Sequence, residues 1–357
     1  MKQIPGGVTA PKGFRAWGVH CGVKSKKADK KDLALILSDQ ECAAAAVYTM
    51  NRVKAAPLYV TMEHLEDGTA WGVAANSGNA NACCPMSHEY AEEMARLAAR
   101  ATGRAPADFV VASTGVIGQT LNIAAIRAGM PAAAAGLTAG PEGSDAAARA
   151  IMTTDTVKKE LALACSIGGR TVTLGAIAKG SGMIHPNMGT MLCFVTTDCA
   201  ITREMLSEAL RQLCQELARA IAGDGEGASR LITCAVREAR SEESAERLAK
   251  AVVGSPLVKA AMFGADTNWG RVLCAMGYSK APFRPEYVDI SFSSAVGAVA
   301  VCRGGMGLDF DEEAARSILS QDEVVIDVHL HEGEHEATCW GCDLTYEYVK
   351  INGDYRT

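Results

Sequence analysis

Lys179-Gly180-Ser181-Gly182-Met183-Ile184-His185-Pro186-Asn187-Met188-Gly189-Thr190-Met191-Leu192 joins two apolar runs, Thr171 to Ala178 and Met191 to Thr197. Each run has the length of a buried strand. Glycine at 180, 182 and 189 frees the backbone between them, and Pro186 stiffens it. On one reading this is a loop between two strands, and Thr190 merely opens the second strand. On another, Thr190 is an N-terminal nucleophile. A threonine hydroxyl is a poor nucleophile without a base. If the Gly189–Thr190 bond breaks, Thr190 gains a free α-amine beside its own hydroxyl. Such amines titrate near ~7.7–8.0, so a useful share is neutral and accepts a proton. Gly189 lets the backbone reach the strain that self-cleavage needs without a side-chain clash. The residues alone leave both readings open.

Working outward, short apolar runs alternate with helical spacing. Leu33 to Leu37 and Ala43 to Tyr48 read as buried strands, and Asn76-Ser77-Gly78-Asn79-Ala80-Asn81 as a small polar loop. Glu89 to Thr102 places Tyr90, Met94, Leu97 and Ala101 on one helical face, with Gly103 as the stop. Phe109 to Ala112 is a buried strand running into Ser113-Thr114-Gly115, and Pro131 to Ser144 reads as a short helix plus a flexible loop. Downstream, Thr202 is an expected N-cap for the stripe Leu206, Leu210, Leu213, Leu217 and Ile221, which Gly223 ends. A second helix spans Glu242 to Val253, and a third lies between Leu308 and Gln321, capped near Asp309 or Asp311. Val324 to Leu330 and Leu344 to Ile351 read as strands. No internal repeat or domain-scale linker is visible. The alternation predicts layered α/β, with sheet packed between helices.

Composition narrows the function classes. A chain of 357 residues with 48% hydrophobic and 21% charged residues suits a soluble globular protein of two domains or one large α/β domain. Net charge is −6 and no basic stripe is present, which argues against nucleic acid as a partner. No apolar stretch is long enough for a bilayer span, and the first residues lack the apolar run of a signal peptide, so a cytoplasmic location is expected. The 13 cysteines are scattered through apolar runs, as expected of small core residues in a reducing compartment.

The 179–192 segment resembles the self-cleavage motif of the ornithine acetyltransferase family. Further stretches agree in order: Val8 to Phe14, Asn76 to Cys83, Ser113 to Gly118, Met152 to Thr156, Asp224 to Ser229, Asn268 to Arg271, and Ile351 to Thr357. There are two departures. Gly189 stands where many members have alanine or cysteine. Members also carry a strand and helix, with a Val-Asp-Gly-Asp-x-Ser-Thr-Asn-Asp stretch, before Asp-Gly-Glu-Gly. Here the helix after Thr202 runs straight to Asp224.

The resemblance implies a layered α/β sandwich akin to N-terminal-nucleophile hydrolases, with a second α/β domain. Cleavage between Gly189 and Thr190 would give an α chain of 1–189 and a β chain of 190–357 that stay associated, as dimers of such pairs. Thr190 would be the nucleophile, and Thr114 and Gly115 the oxyanion hole. Thr153, Lys179, Thr190, Glu226, Asn352 and Thr357 would contact substrate, Lys179 as counter-charge for an amino-acid carboxylate and Glu226 for an ammonium end. Asn352 and Thr357 would bring the tail back over the pocket. The implied reaction moves acetyl from N-acetylornithine to glutamate in arginine biosynthesis, with no metal or bound cofactor. Use of acetyl-CoA as a further donor is left open.

Two rivals belong beside this reading. One is a self-cleaving aminopeptidase of similar fold. The other is a non-enzymatic metal-binding protein built on His329, His331, His335, Cys339 and Cys342, because Cys-x-x-Cys preceded by histidines can hold zinc. Glycines 223, 225 and 227 make no phosphate loop, since the Gly-Lys-Ser/Thr ending is missing.

Overall fold

The computed structural model describes residues 2–23, 30–49, 51–167, 169–181, 191–199 and 203–354, of 203–212 the backbone only. The chain forms two compact units, one of the described residues up to Gly180 and from 191 to Leu217, the other from Ala218 onward. Both mix helix and sheet, as the alternation predicts.

The first unit holds two four-stranded sheets. Strands β1 (Lys2–Ile4), β2 (Phe14–Val19), β3 (Leu33–Ala43), β4 (Thr69–Asn76), β5 (Phe109–Ser113), β6 (Lys159–Ile167), β7 (Arg170–Lys179) and β8 (Leu192–Thr197) sort into the orders β1-β6-β7-β8 and β2-β3-β4-β5. The first sheet is antiparallel throughout. In the second, only β4 and β5 run parallel. Helices α1 (Ala56–His64), α2 (Ser87–Thr102) and α3 (Ile123–Ala135) bury one face of the β2–β5 sheet around Leu33, Leu35, Met94, Phe109 and Ile126. Helix α4 (Pro141–Ile151) packs on the other face, where Ala147, Ala148 and Ile151 meet Ile36 of β3 and Ile177 of β7. Small residues make this layering possible. A Cβ on Gly18 would lie 2.1 Å from the Ala146 carbonyl oxygen, so β2 and α4 touch backbone to backbone. The abundant alanine and glycine are the material of that close approach.

The second unit contains one six-stranded sheet of β9 (Leu231–Ala239), β10 (Asp289–Ser294), β11 (Gly297–Arg303), β12 (Met306–Gly307), β13 (Glu323–His329) and β14 (His335–Cys342), ordered β12-β11-β10-β13-β9-β14. Helix α5 (Arg203–Gly223) runs into this unit, followed by α6 (Glu242–Gly254), α7 (Pro256–Phe263), α8 (Trp269–Tyr278), α9 (Glu312–Leu319) and α10 (Tyr346–Asp354). Val236, Leu248, Val252, Met276, Phe292, Ile326 and Val328 form the core between sheet and helices.

Three expectations fail locally. Leu344 to Ile351 is not a strand, because α10 begins at Tyr346, where Thr345 Oγ1 accepts the Tyr348 N–H at 3.2 Å. A threonine cap followed by a Glu347–Lys350 pair one turn apart is a helix start, and it outweighs the alternating pattern. Ala43 to Tyr48 is not a buried strand. β3 ends at Ala43 and Val47 is 84% exposed, since a run of alanines offers too little area to drive burial. Pro131 to Ser144 spans the end of α3 and the start of α4, with Pro131 inside the first and Pro141 opening the second. The expected Thr202 cap and the Leu206 and Leu210 side chains lie outside the described residues, while other signals hold. Gly103 takes the left-handed C-cap of α2 at φ 70°. Asp311 caps α9 by accepting the N–H groups of Glu313 and Ala314.

Candidate active site

Three of the expected site residues meet in the first unit. β4 and β5 run parallel with Asn76 opposite Ser113, so both strands end at one level and their loops leave together. Thr114 and Gly115 follow β5 directly. Gly115 has φ +132°, and a Cβ there would lie 2.8 Å from both the Asn79 nitrogen and the Gly78 carbonyl carbon. Only glycine therefore fits this turn. Lys179, the last residue of β7, donates from Nζ to Thr114 Oγ1 at 3.2 Å. Both side chains are buried, at 3% and 8% exposure. Among the described residues the Gly115 N–H has no hydrogen-bond acceptor. Its neighbour, the Thr114 N–H, is used by the Asn76 carbonyl at 2.9 Å.

Lys179 also ends the strand that precedes Gly189 and Thr190 in the chain. Its register partner on β8 is Leu192, two residues beyond Thr190. Gly189, Thr190 and Thr357 lie outside the described residues.

Thr153 is tied to the same strand end through Asp155. Asp155 accepts the Thr153 N–H at 3.0 Å and the Gly180 N–H at 2.8 Å, while Lys159 Nζ reaches it at 2.8 Å. The Asp155 and Lys159 side chains are 0% and 1% exposed. Burial raises the Asp155 carboxyl, but the Lys159 ammonium and the two N–H groups outweigh it, holding the group below its ordinary value. This ionised pair pins the residue after Lys179, a role that sequence reasoning missed although Asp155 sits in the matching Met152 to Thr156 stretch. An acid and a lysine four residues apart also describe a solvated face, and only the fold decides between them.

Asn76 was likewise read only as the start of a polar loop. It is fully buried, and its Oδ1 accepts the N–H groups of Gly78 and Asn79 at 3.2 and 3.1 Å. Its Nδ2 donates to Ser113 Oγ at 2.6 Å. One side chain thus ties the Gly78–Asn79 loop to the residue before Thr114. Asn76→Ala leaves these buried partners unsatisfied, so a loss of about 1–3 kcal/mol is expected in thermal or denaturant unfolding. An unchanged midpoint would mean that water replaces the amide.

The second unit joins two more expected residues. Asn352 on α10 donates from Nδ2 to Glu226 Oε2 at 2.8 Å. The glycine-rich loop carrying Glu226 is built by the chain's end. Buried Asp343 accepts the N–H groups of Ser229 and Arg230 at 2.8 and 3.1 Å, and Thr345 Oγ1 donates to the Gly227 carbonyl at 2.7 Å. A Cβ on Gly227, at φ +67°, would come within 2.8 Å of Glu347.

The Cys-x-x-Cys end does not converge. Residues three apart on a strand face opposite ways. Cys339 stands opposite Cys234 on β9, whereas Cys342 takes a contact from Lys259 Nζ at 3.6 Å. Burial, reinforced by Glu246, pushes the Cys339 thiol up to about 11, which disfavours the thiolate a metal requires. His329 and His331 pair with Glu238, Asp289 and Asp327 instead. Among the described residues no group of three or more His, Cys, Asp or Glu side chains is arranged to hold a metal ion. No described helix is long and apolar enough to cross a membrane.

The chain matches the model of the ArgJ family over residues 15–213 and again over 203–357. It is 48% identical to the arginine biosynthesis bifunctional protein ArgJ of Symbiobacterium thermophilum, across 100% of both chains. It is 42% identical to arginine biosynthesis bifunctional protein ArgJ 1 of Clostridium acetobutylicum, across 96% of each. Among solved structures, the ornithine acetyltransferase complexed with ornithine from Mycobacterium tuberculosis is 38% identical, with a TM-score of 0.48 over 54% of this chain and 99% of that one. The Symbiobacterium alignment runs over 408 positions, against 357 residues here, so that relative carries residues that this chain lacks. Residues 203–213 match the family model twice, which puts the junction of the missing stretch inside α5.

Proposed function

Because this chain belongs to the ArgJ family, we propose that it is an acetyltransferase of arginine biosynthesis that cleaves itself before Thr190 and moves acetyl from N-acetylornithine to glutamate. One observation carries the site: Lys179 contacts Thr114 on one side and pairs with the strand two residues beyond Thr190 on the other.

Thr190 Oγ attacks the acetyl carbonyl while its own α-amine takes the hydroxyl proton. The carbonyl π bond becomes an oxyanion, which the Gly115 N–H and the Thr114 O–H receive. Collapse breaks the bond to the ornithine nitrogen, which leaves with the proton held by the α-amine. The glutamate amine then attacks the acyl-threonine through a second oxyanion at the same donors. The α-amine takes a proton from that nitrogen and returns it to Thr190 Oγ as the acyl–Oγ bond breaks, so N-acetylglutamate departs and the threonine hydroxyl is restored. Glu226 and Asn352 supply acceptor and donor groups for an amino-acid substrate. The two fragments act as one α/β unit, paired into dimers, in the cytoplasm.

The test is turnover of N-acetylornithine with and without glutamate. Ornithine release should depend on glutamate and yield one N-acetylglutamate per ornithine. Release that ignores glutamate marks a hydrolase and overturns the transferase reading. Acetyl-CoA, added in place of N-acetylornithine, reports in the same assay whether a second donor is accepted.

A further inference from the structure

We propose that Lys179 acts through Thr114, as a positioning residue that fixes the threonine hydroxyl as an oxyanion donor. This deepens the acyl-transfer reading and rests on it. The direction of the 3.2 Å contact is settled by chemistry: an ammonium has only donors, so Thr114 Oγ1 must accept. A hydroxyl has one hydrogen. With a lone pair committed to Lys179, that hydrogen points away from the lysine. The Thr114 N–H is already bound to the Asn76 carbonyl, so it cannot serve as the second donor, and the open N–H next in line belongs to Gly115. Lys179 and Asn76 therefore select the same two donors, one hydroxyl and one backbone N–H, from adjacent residues.

Burial makes the selection effective. At 3% and 8% exposure, neither Lys179 nor Thr114 has bulk water to reorient it. A hydroxyl that accepts from a cation is also polarised into a stronger donor. The lysine is held from behind, since Gly180 donates to Asp155 and Asp155 is locked to Lys159. A lysine whose sole task were to meet a substrate carboxylate would not need its Nζ on the Thr114 hydroxyl.

A double-mutant cycle on the cleaved enzyme separates the roles. Thr114→Val should lower kcat by about 10²–10³-fold. Lys179→Met should lower kcat by a comparable factor while KM for N-acetylornithine stays within about threefold. The double variant should be no slower than the slower single, because both changes remove the same oriented donor. Lys179→Gln keeps an N–H donor without the charge, and should retain more kcat than Lys179→Met at unchanged KM. It also serves if Lys179→Met fails to fold or cleave. Multiplying effects in the cycle, or a KM that rises equally in the Met and Gln variants at unchanged kcat, overturns the proposal and returns Lys179 to carboxylate binding. A harmless Thr114→Val is a different failure: it removes the oxyanion assignment itself.

Discussion

Thr190→Ala is expected to yield one uncut chain on a denaturing gel and to abolish acetyl transfer, by at least about 10⁴-fold. Alanine removes the hydroxyl that starts the self-cleavage and the hydroxyl that carries the acetyl group, so both activities fall together. The parent protein should run as two fragments, 1–189 and 190–357, the second beginning Thr-Met-Leu-Cys. Thr190→Ser keeps the hydroxyl and should still cut, more weakly or more strongly according to how the lost methyl affects rotamer choice. In a native separation the parent fragments should stay together. β8 follows Thr190 in the chain and shares six register positions with β7, so a cut before Thr190 would leave the two fragments joined by paired strands. If mature, active protein is a single unbroken chain, the α-amine mechanism is wrong. If Thr190→Ala is still cut at the same bond, another group performs the cleavage.

The fold was legible where local chemistry and tertiary context agree. The two strands flanking residues 180–191, the Gly103 stop and the Asp311 cap are each decided within a few residues, and each is found where the spacing puts it. The tail was misread because Tyr346 to Ile351 alternates like a strand, while the deciding signal, one hydroxyl at Thr345, lies just outside the pattern. In the site, the threonine–glycine pair after β5 stood out only through family resemblance, for Ser-Thr-Gly after an apolar run is also an ordinary turn. Lys179 was found as a residue but not as a contact. No spacing rule tells that a lysine ending one strand will meet a hydroxyl 65 residues away. Asn76 and Asp155 were hidden for the same reason: whether a polar side chain is solvated or buried in a network is a property of the packed sheets.

The missing stretch before Asp224 was visible, and α5 suggests why the chain tolerates it. The residues that match the family twice, 203–213, lie in the first half of one continuous helix. Joining two amphipathic helices costs little if their apolar stripes stay in phase. On the described part of the stripe, Leu213 and Leu217 are buried at 0% and 4% exposure. The elements next to Thr114, Lys179 and Glu226 are present despite the loss: β5, β7 and α5 are each formed.

Asp155→Ala is expected to destabilise the protein by about 3–5 kcal/mol, the cost of leaving one member of a buried ion pair alone. The Lys159 ammonium loses its counter-charge, and the Gly180 and Thr153 N–H groups lose their acceptor. The acid limb of the stability curve gives the sign. Asp155 has a folded-state pKa below its ordinary value, so its contribution is fully present above the unfolded value near ~3.9 and is lost as pH falls through the depressed one. Wild type and Asp155→Asn should therefore differ by a constant amount from neutral pH down to about 5 and converge below about 4. A gap that persists unchanged into strong acid would mean that the carboxylate charge is not what matters. Stability and catalysis can then be separated. Replacing both partners by apolar residues, Asp155→Leu with Lys159→Met, should recover much of the lost stability, since a buried pair is often no better than packed hydrocarbon. It cannot restore the acceptor for Gly180. The strand end carrying Lys179 stays unpinned, and kcat should remain low after the melting temperature has returned. Full recovery of kcat with the apolar pair would show that β7 positions Lys179 without help from Asp155.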